Sequence, residues 1–156
     1  MDKLYRFSPI ADKQTFDTAW QYIGDQLPLL AQKVIGEELP LTTVKVFAHY
    51  PEEYDVLKTL MLDYGQQSQL SSDTSLYVDV DLQLGNSNIK ALGIRVIDPY
   101  RSQVGCGDYA INDYKSFKEK FLLSTNPFIR EIVTPKITMT ELWHPDFDIL
   151  GYVVKA

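Results

Sequence analysis

The sequence has few of the features that mark secreted or membrane proteins. It has one cysteine, Cys106, among 156 residues, so an intrachain disulfide is excluded and a reducing compartment is favoured. No apolar run reaches the roughly 18 residues that a membrane-spanning helix needs. The N-terminus has neither the long apolar stretch nor the small-residue cleavage pattern of a signal peptide. These absences predict a cytoplasmic protein that does not associate with membranes.

Runs of basic residues are missing as well. The chain has 15 lysines and arginines against 21 aspartates and glutamates, a net charge of −6, and its pI is about 4.8. An acidic surface repels phosphate backbones, which argues against nucleic-acid binding. There is no glycine-rich phosphate loop, no paired-cysteine zinc motif and no Gly-x-Ser-x-Gly. Nucleotide hydrolysis, zinc fingers and α/β-hydrolase chemistry therefore lack their usual sequence support.

The N-terminal segment, residues 1–40, is predicted to be helical. Asp12 is suited to cap a first helix, and Gly24 and Pro28 are predicted to interrupt it. A second short helix is predicted to follow and to end at Gly36, because glycine tolerates the left-handed conformation of a C-terminal cap. The apolar face of the first helix consists of residues three or four positions apart: Phe16, Trp20 and Ile23.

After residue 40 the hydrophobic period changes and the predicted order of elements repeats. Residues 41–98 predict a strand, a helix and three strands, the first of these three, over residues 66–70, being weak. Residues 99–156 predict a connector and then the same order, at an offset of about 61 positions. Asp113 is placed to cap or open the second helix. A generic α+β domain with two halves that are alike by chance is the alternative interpretation.

The second half has the most specific family likeness. Cys106 to Tyr114 reads CGDYAINDY and precedes a helical pattern, and Leu142 to Val153 reads LWHPDFDILGYV. These segments resemble the opening strand, helix start and closing turn of the vicinal oxygen chelate (glyoxalase/bleomycin-resistance) superfamily, and the likeness covers residues 42–154. The leading helices are also similar to the layout of the YecM family. The resemblance implies an α+β fold in which two N-terminal helices precede two βαβββ modules, whose curved mixed sheets form a ligand cup.

The resemblance also implies where a divalent metal would bind in such a protein. Carried over position by position, the ligand positions fall on Lys45, Cys106, Gly151 and either Gly93 or Arg95. A lysine ammonium has no lone pair, a thiol is a soft ligand among hard oxygen donors, and glycine has no side chain. The sequence therefore predicts a protein without metal or other cofactor.

The strand pattern instead predicts a polar ligand site inside the cup. Lys45, Phe47 and His49 alternate along one strand, and Arg95 and Asp108 are expected on neighbouring strands. Lysine and arginine together suit a carboxylate or phosphate, and histidine titrates near neutrality. Structural roles are the alternatives: an ion pair of Arg95 with Asp108 or Glu141, and a strand-end histidine bonded to backbone or solvent. The predicted ligand-binding residues are Lys45, Phe47, His49, Arg95 and Asp108.

Three functions remain open on the sequence. The first is a metal-independent binding protein of the glyoxalase/bleomycin-resistance type for a small polar or anionic molecule. The second is a diverged metal-dependent lyase, isomerase or dioxygenase of the same superfamily, whose ligands a shift in strand register would hide. The third is a protein-interaction module without a ligand, such as a homodimer that pairs through sheet edges. No catalytic residue is predicted, and whether the protein is an enzyme is left open.

Overall fold

The computed structural model describes residues 4–122 and 125–154. They contain three helices and one mixed sheet of seven strands. The fold is therefore α+β, as predicted. The outer ends of the predicted segments, residues 1–3 and 155–156, and residues 123–124 lie outside the described residues. The elements in chain order are α1 (Lys13–Ile35), β1 (Leu41–Phe47), α2 (Pro51–Met61), β2 (Ser75–Leu84), β3 (Ser87–Arg95), β4 (Gly105–Tyr109), α3 (Tyr114–Phe121), β5 (Ile129–Val133), β6 (Thr138–Leu142) and β7 (Ile149–Val154).

The strand order is β2-β3-β1-β4-β7-β6-β5, so each half of the chain builds one half of the sheet. The first strands of the two halves, β1 and β4, pair antiparallel at the centre. Each has the last strand of its own half as a parallel partner, β3 beside β1 and β7 beside β4. The weak strand predicted over residues 66–70 is reduced to one bridge between Gln67 and Val78.

The N-terminal segment differs from the prediction, because α1 is one helix of 23 residues and not two. Its start and end are as predicted. The Asp12 carboxylate accepts a hydrogen bond of 2.8 Å from the Thr15 amide, and Gly36 closes the helix with φ of 80°. The predicted interruption at Gly24 and Pro28 is wrong, since the helix continues through both residues.

The helix continues through Pro28 because the buried face of α1 extends on both sides of this residue with the same helical spacing. An interior proline costs roughly 3 kcal/mol relative to alanine. Each fully buried large aliphatic or aromatic side chain contributes about 1.5–3 kcal/mol, so the packing of the whole face outweighs that cost. The residues of this face are Phe16, Ala19, Trp20, Ile23, Gly24, Leu27, Leu30, Ala31 and Val34.

Glycines in β4 allow α1 to lie directly on the centre of the sheet. A Cβ atom at Gly105 would be 2.4 Å from Ile23 Cδ1, and one at Gly107 would be 2.6 Å from Leu27 Cδ1. Both distances are far below van der Waals contact, so only glycine permits this approach. The Tyr109 hydroxyl adds a hydrogen bond of 2.6 Å to the Leu27 carbonyl. The buried apolar side chains of all three helices belong to the core on this face.

The remaining element boundaries follow local signals. Asp113 caps α3 by accepting a hydrogen bond of 3.1 Å from the Ser116 amide, as predicted. Pro51 is the first residue of α2, where its missing amide hydrogen costs nothing. Gly85 has φ of 58° in the tight turn between β2 and β3, a conformation that glycine tolerates. None of the helices in the described ranges combines the length and the apolar character that a bilayer crossing requires.

Candidate functional site

The candidate site is an open cavity of about 960 Å³ on one face of the sheet. Neighbouring residues of a strand point to opposite faces. Gly105 and Gly107 contact α1, so Cys106 and Asp108 point to the other face, where both line the cavity. The sheet therefore separates the helices and the main core from the cavity.

Strand registers place the predicted residues relative to one another. Lys45 is the direct partner of Cys106 across β1 and β4, so the predicted opening positions of the two halves meet at the centre of the sheet. Phe47 is the partner of Arg95 across β1 and β3. Lys45, Phe47 and Arg95 consequently lie on the same face, and Lys45, Arg95 and Asp108 line the cavity.

Lys45 is held by an aromatic ring and not by an acid. Its Nζ atom lies 5.1 Å from the centroid of the Tyr77 ring, and no carboxylate oxygen of the described residues lies within 4.0 Å of it. A Cβ atom at Gly93 would be 2.5 Å from Tyr77 Cε1, so this glycine makes room for the ring. The ammonium group therefore keeps its hydrogen-bonding capacity for a ligand.

Arg95 has a different ion-pair partner from the one expected. Its guanidinium is 3.2 Å from the Asp98 carboxylate and 5.3 Å from the centroid of the Phe47 ring. The alternative prediction of a pair with Asp108 or Glu141 is wrong. Asp98 lies three residues after Arg95, just past the end of β3, so its carboxylate is close to the guanidinium and forms the ion pair.

Burial shifts the pKa of two groups that line the cavity, the half-buried Asp108 and the buried Cys106. Asp108 accepts a hydrogen bond of 2.9 Å from the Thr43 hydroxyl. Burial raises the pKa of Asp108, although this hydrogen bond and the charge of Lys45 oppose the change. Burial also raises the pKa of the Cys106 thiol to about 11. The thiol is therefore neutral near pH 7, which agrees with a structural role and not with a nucleophile.

A second polar cluster, of which Arg101, Arg130 and Tyr152 line the cavity, was missed by sequence reasoning, which considered Glu141 only as a partner of Arg95. The Glu141 side chain is 5% exposed and lies 3.0 Å from the Arg130 guanidinium. It accepts a second hydrogen bond of 2.8 Å from the Tyr152 hydroxyl. Arg101 lies 3.9 Å from the same carboxylate. The available signal was a single acid in the otherwise uncharged strand β6, because such an acid needs partners.

His49 does not line the cavity, although alternation placed it beside Lys45 and Phe47. Its Nε2 atom lies 2.8 Å from the Gln103 carbonyl, and its Nδ1 atom lies 2.8 Å from the Ser8 hydroxyl. A carbonyl only accepts, so Nε2 carries the hydrogen. Burial lowers the pKa of His49. The strand ends at Phe47, and beyond its end alternation no longer determines the direction of a side chain.

The positions that the resemblance assigns to a metal do not fit one. Lys45, Cys106 and Arg95 do face the cavity, but they are not the oxygen and nitrogen donors that such a site uses. Gly151 faces the other side of the sheet, where a Cβ atom would be 2.4 Å from the Tyr109 ring. Within residues 4–122 and 125–154, no three His, Cys, Asp or Glu side chains are grouped to hold a metal ion.

Comparisons with known proteins concern the fold alone. No family model matches the chain, and no curated protein matches it. The chain is similar to a solved structure described as "Structural Genomics, Protein EC4020", with a TM-score of 0.68 and 10% sequence identity. The likeness covers 100% of this chain and 92% of that chain. At such low identity it shows a common fold and carries nothing about activity.

Proposed function

We propose that this chain is a metal-independent small-molecule binding protein of the glyoxalase/bleomycin-resistance type, with a polar or anionic ligand in the cavity beside Lys45. The supporting observation is the local charge. Five basic side chains line the cavity, and four acids lie in the lining or pair with it, Asp98, Asp108, Glu131 and Glu141, in a chain whose net charge is −6. An excess of positive charge in a concave site of an acidic protein favours an anion.

The size and composition of the cavity support the same proposal. A volume of about 960 Å³ is within the range of small-molecule sites, which combine apolar walls with a few polar groups. Apolar side chains such as Met139 and Val154 line the cavity together with the basic ones.

The glyoxalase-like arrangement is part of this proposal. It is supported by the repeated order of strand, helix and further strands, and by the antiparallel pairing of β1 with β4 at the centre of one sheet. A cytoplasmic location is also proposed, on the lone buried Cys106. The metal-dependent enzyme and the protein-interaction module remain predictions from the sequence, because no observation above favours either.

The proposal is tested by nuclear magnetic resonance with ¹⁵N-labelled protein and a screen of small anions. Binding in the cavity should shift the amides of Lys45, Tyr77, Cys106 and Asp108. Lys45→Met should weaken the binding, because it removes the ammonium and keeps the length of the side chain. Lys33→Met is the matched control, since Lys33 is an exposed residue of α1 on the opposite side of the sheet.

Two outcomes would contradict the proposal. The first is a screen in which no anion shifts the four amides. The second is a stoichiometric metal found by elemental analysis of untagged protein, together with thermal stabilisation by that ion alone. The second result would favour the metal-dependent enzyme and would require ligands other than those considered above.

A further inference from the structure

We infer that the ligand of this cavity is a monocarboxylate with an apolar body, and that Arg101 and Lys45 bind its carboxylate. This inference rests on the proposed function and specifies the class of ligand. It combines three observations on the cavity: the balance of charge, the unused donors of Arg101 and an apolar row of side chains beside the arginines.

The balance of charge favours a single negative charge on the ligand. Arg95 pairs with Asp98 at 3.2 Å, and Arg130 pairs with Glu141 at 3.0 Å. Arg101 lies between these pairs, 3.9 Å from both carboxylates. Three guanidinium groups thus share two carboxylates, which leaves one positive charge without compensation.

The other charged residues of the lining do not change this balance. The charges of Lys45 and the nearby Asp108 offset each other without a contact within 4.0 Å, and Glu131 pairs with Lys118 on α3 at 3.0 Å. Lys136 is an exposed residue of the turn between β5 and β6, where solvent screens its charge. A carboxylate would neutralise the one excess charge, whereas a phosphate dianion would leave a negative charge in a partly buried site.

Arg101 has the donors that a carboxylate needs. Both of its ion-pair distances are 3.9 Å, beyond the range of a hydrogen bond. No hydrogen bond from its side chain to another described residue is present. Its side chain is 30% exposed, and it lines the cavity. A planar guanidinium with free N–H groups binds a carboxylate through two parallel hydrogen bonds.

The apolar row identifies the other end of the ligand. Ile132, Met139 and Val154 are direct partners on β5, β6 and β7, and all three line the cavity. They lie two residues from Arg130 and Glu141 along the strands, a distance of about 7 Å. An anion without an apolar part would leave this row exposed to water. A short aryl or alkyl body attached to the carboxylate would cover this row, and burial of apolar area favours binding.

Four probes with related structures test the inference by isothermal titration calorimetry at pH 7. They are 4-phenylbutyrate, the neutral 4-phenylbutanol, the dianionic 4-phenylbutyl phosphate and acetate, which lacks the apolar body. We expect 4-phenylbutyrate to bind tightest. Arg101→Gln should weaken its binding roughly tenfold to a hundredfold, as the loss of hydrogen bonds to a charged group predicts. Arg101→Lys keeps the positive charge but loses the two parallel N–H donors, so its affinity should lie between those of the wild type and Arg101→Gln. Lys33→Gln should leave the affinity unchanged.

Several results would overturn the inference and leave the proposed function in place. If 4-phenylbutyl phosphate binds as tightly as 4-phenylbutyrate, the preference for a monocarboxylate is wrong. If 4-phenylbutanol binds as tightly, the ligand does not need a negative charge. The role of Arg101 is excluded if Arg101→Gln, with a dispersed amide spectrum that shows intact folding, binds 4-phenylbutyrate like the wild type. If the four probes fail but other anions shift the cavity amides, the ligand class is wrong. If no anion shifts them, the proposed function fails as well.

Discussion

Replacing Pro28 with alanine is expected to stabilise this protein by about 1 kcal/mol, the net of the opposing effects considered below. Pro28 lies inside the continuous helix α1. Proline has no amide hydrogen, so it cannot donate to the carbonyl of Gly24 four residues earlier. Alanine at this position would complete the helical hydrogen-bond pattern without any change in the path of the chain.

The magnitude combines one gain with two losses. Alanine is favoured over proline inside a helix by roughly 3 kcal/mol. Removing proline frees the unfolded chain, which costs about 0.4–1 kcal/mol. Pro28 is half-buried beside a cleft that Leu84 and Gly85 also line, and one or two lost methylene contacts cost at most about 0.8 kcal/mol each. The net gain corresponds to a rise in Tm of about 2–4 °C for a chain of this size.

Urea unfolding followed by circular dichroism at 222 nm measures this effect, with an unchanged m-value as the requirement for comparing midpoints. Gly24→Ala is the matched comparison, since it also raises helix propensity. Its midpoint should rise less than the gain of about 1 kcal/mol in helix propensity predicts, because the new Cβ atom would lie 2.5 Å from Leu84 Cδ2 and that side chain must turn away. A lower midpoint for Pro28→Ala would refute the reasoning. It would indicate that Pro28 begins a second helix, where proline is favoured.

Three further substitutions test other parts of the structure. Glu141→Gln should lower the unfolding free energy by roughly 1–2 kcal/mol in urea titrations, because Arg101 and Arg130 lose their negatively charged partner and only hydration by water replaces it. An unchanged free energy would mean that these ion pairs contribute nothing to stability. His49 has a lowered pKa in the folded state, so the unfolded chain binds more protons and the unfolding free energy should fall as the pH drops below about 6.5. That fall should be absent in His49→Gln, and an identical pH profile would exclude His49 as its source. Gly107→Ala places a Cβ atom 2.5 Å from a backbone carbonyl of β1 and should cost about 1–3 kcal/mol or more, which calorimetry would show as a lower Tm.

The positions of strands and caps were predictable because their signals are local. Alternation predicts the observed order of strands in both halves, apart from the weak strand over residues 66–70. Asp12, Asp113 and Gly36 cap helices as their residue types suggest. The continuity of α1 was not predictable in this way. Whether Pro28 ends a helix depends on how much apolar surface lies on each side of it and on what covers that surface. The covering surface is the sheet, whose glycines are far away in the sequence.

The candidate site, too, was predictable from the sequence only in part. Alternation places Lys45 and Phe47 on one face of β1, and the same rule applies to Arg95 and Asp108 within their own strands. The association of Arg101, Arg130, Glu141 and Tyr152 required the register of β5, β6 and β7 and the path of the connector after β3. His49 fell outside the cavity because β1 ends two residues before it.

Local chemistry in the amino-acid sequence therefore specifies which segments become strands, where helices begin and end, and which side chains of one strand share a face. Pairing between strands specifies which of these faces meet, which acid reaches which arginine, and that Lys45 lies opposite Cys106. The physical reason is the range of the interactions. Capping and alternation act over two to four residues, whereas register is set by packing against α1 and by contacts between segments that are distant in the chain.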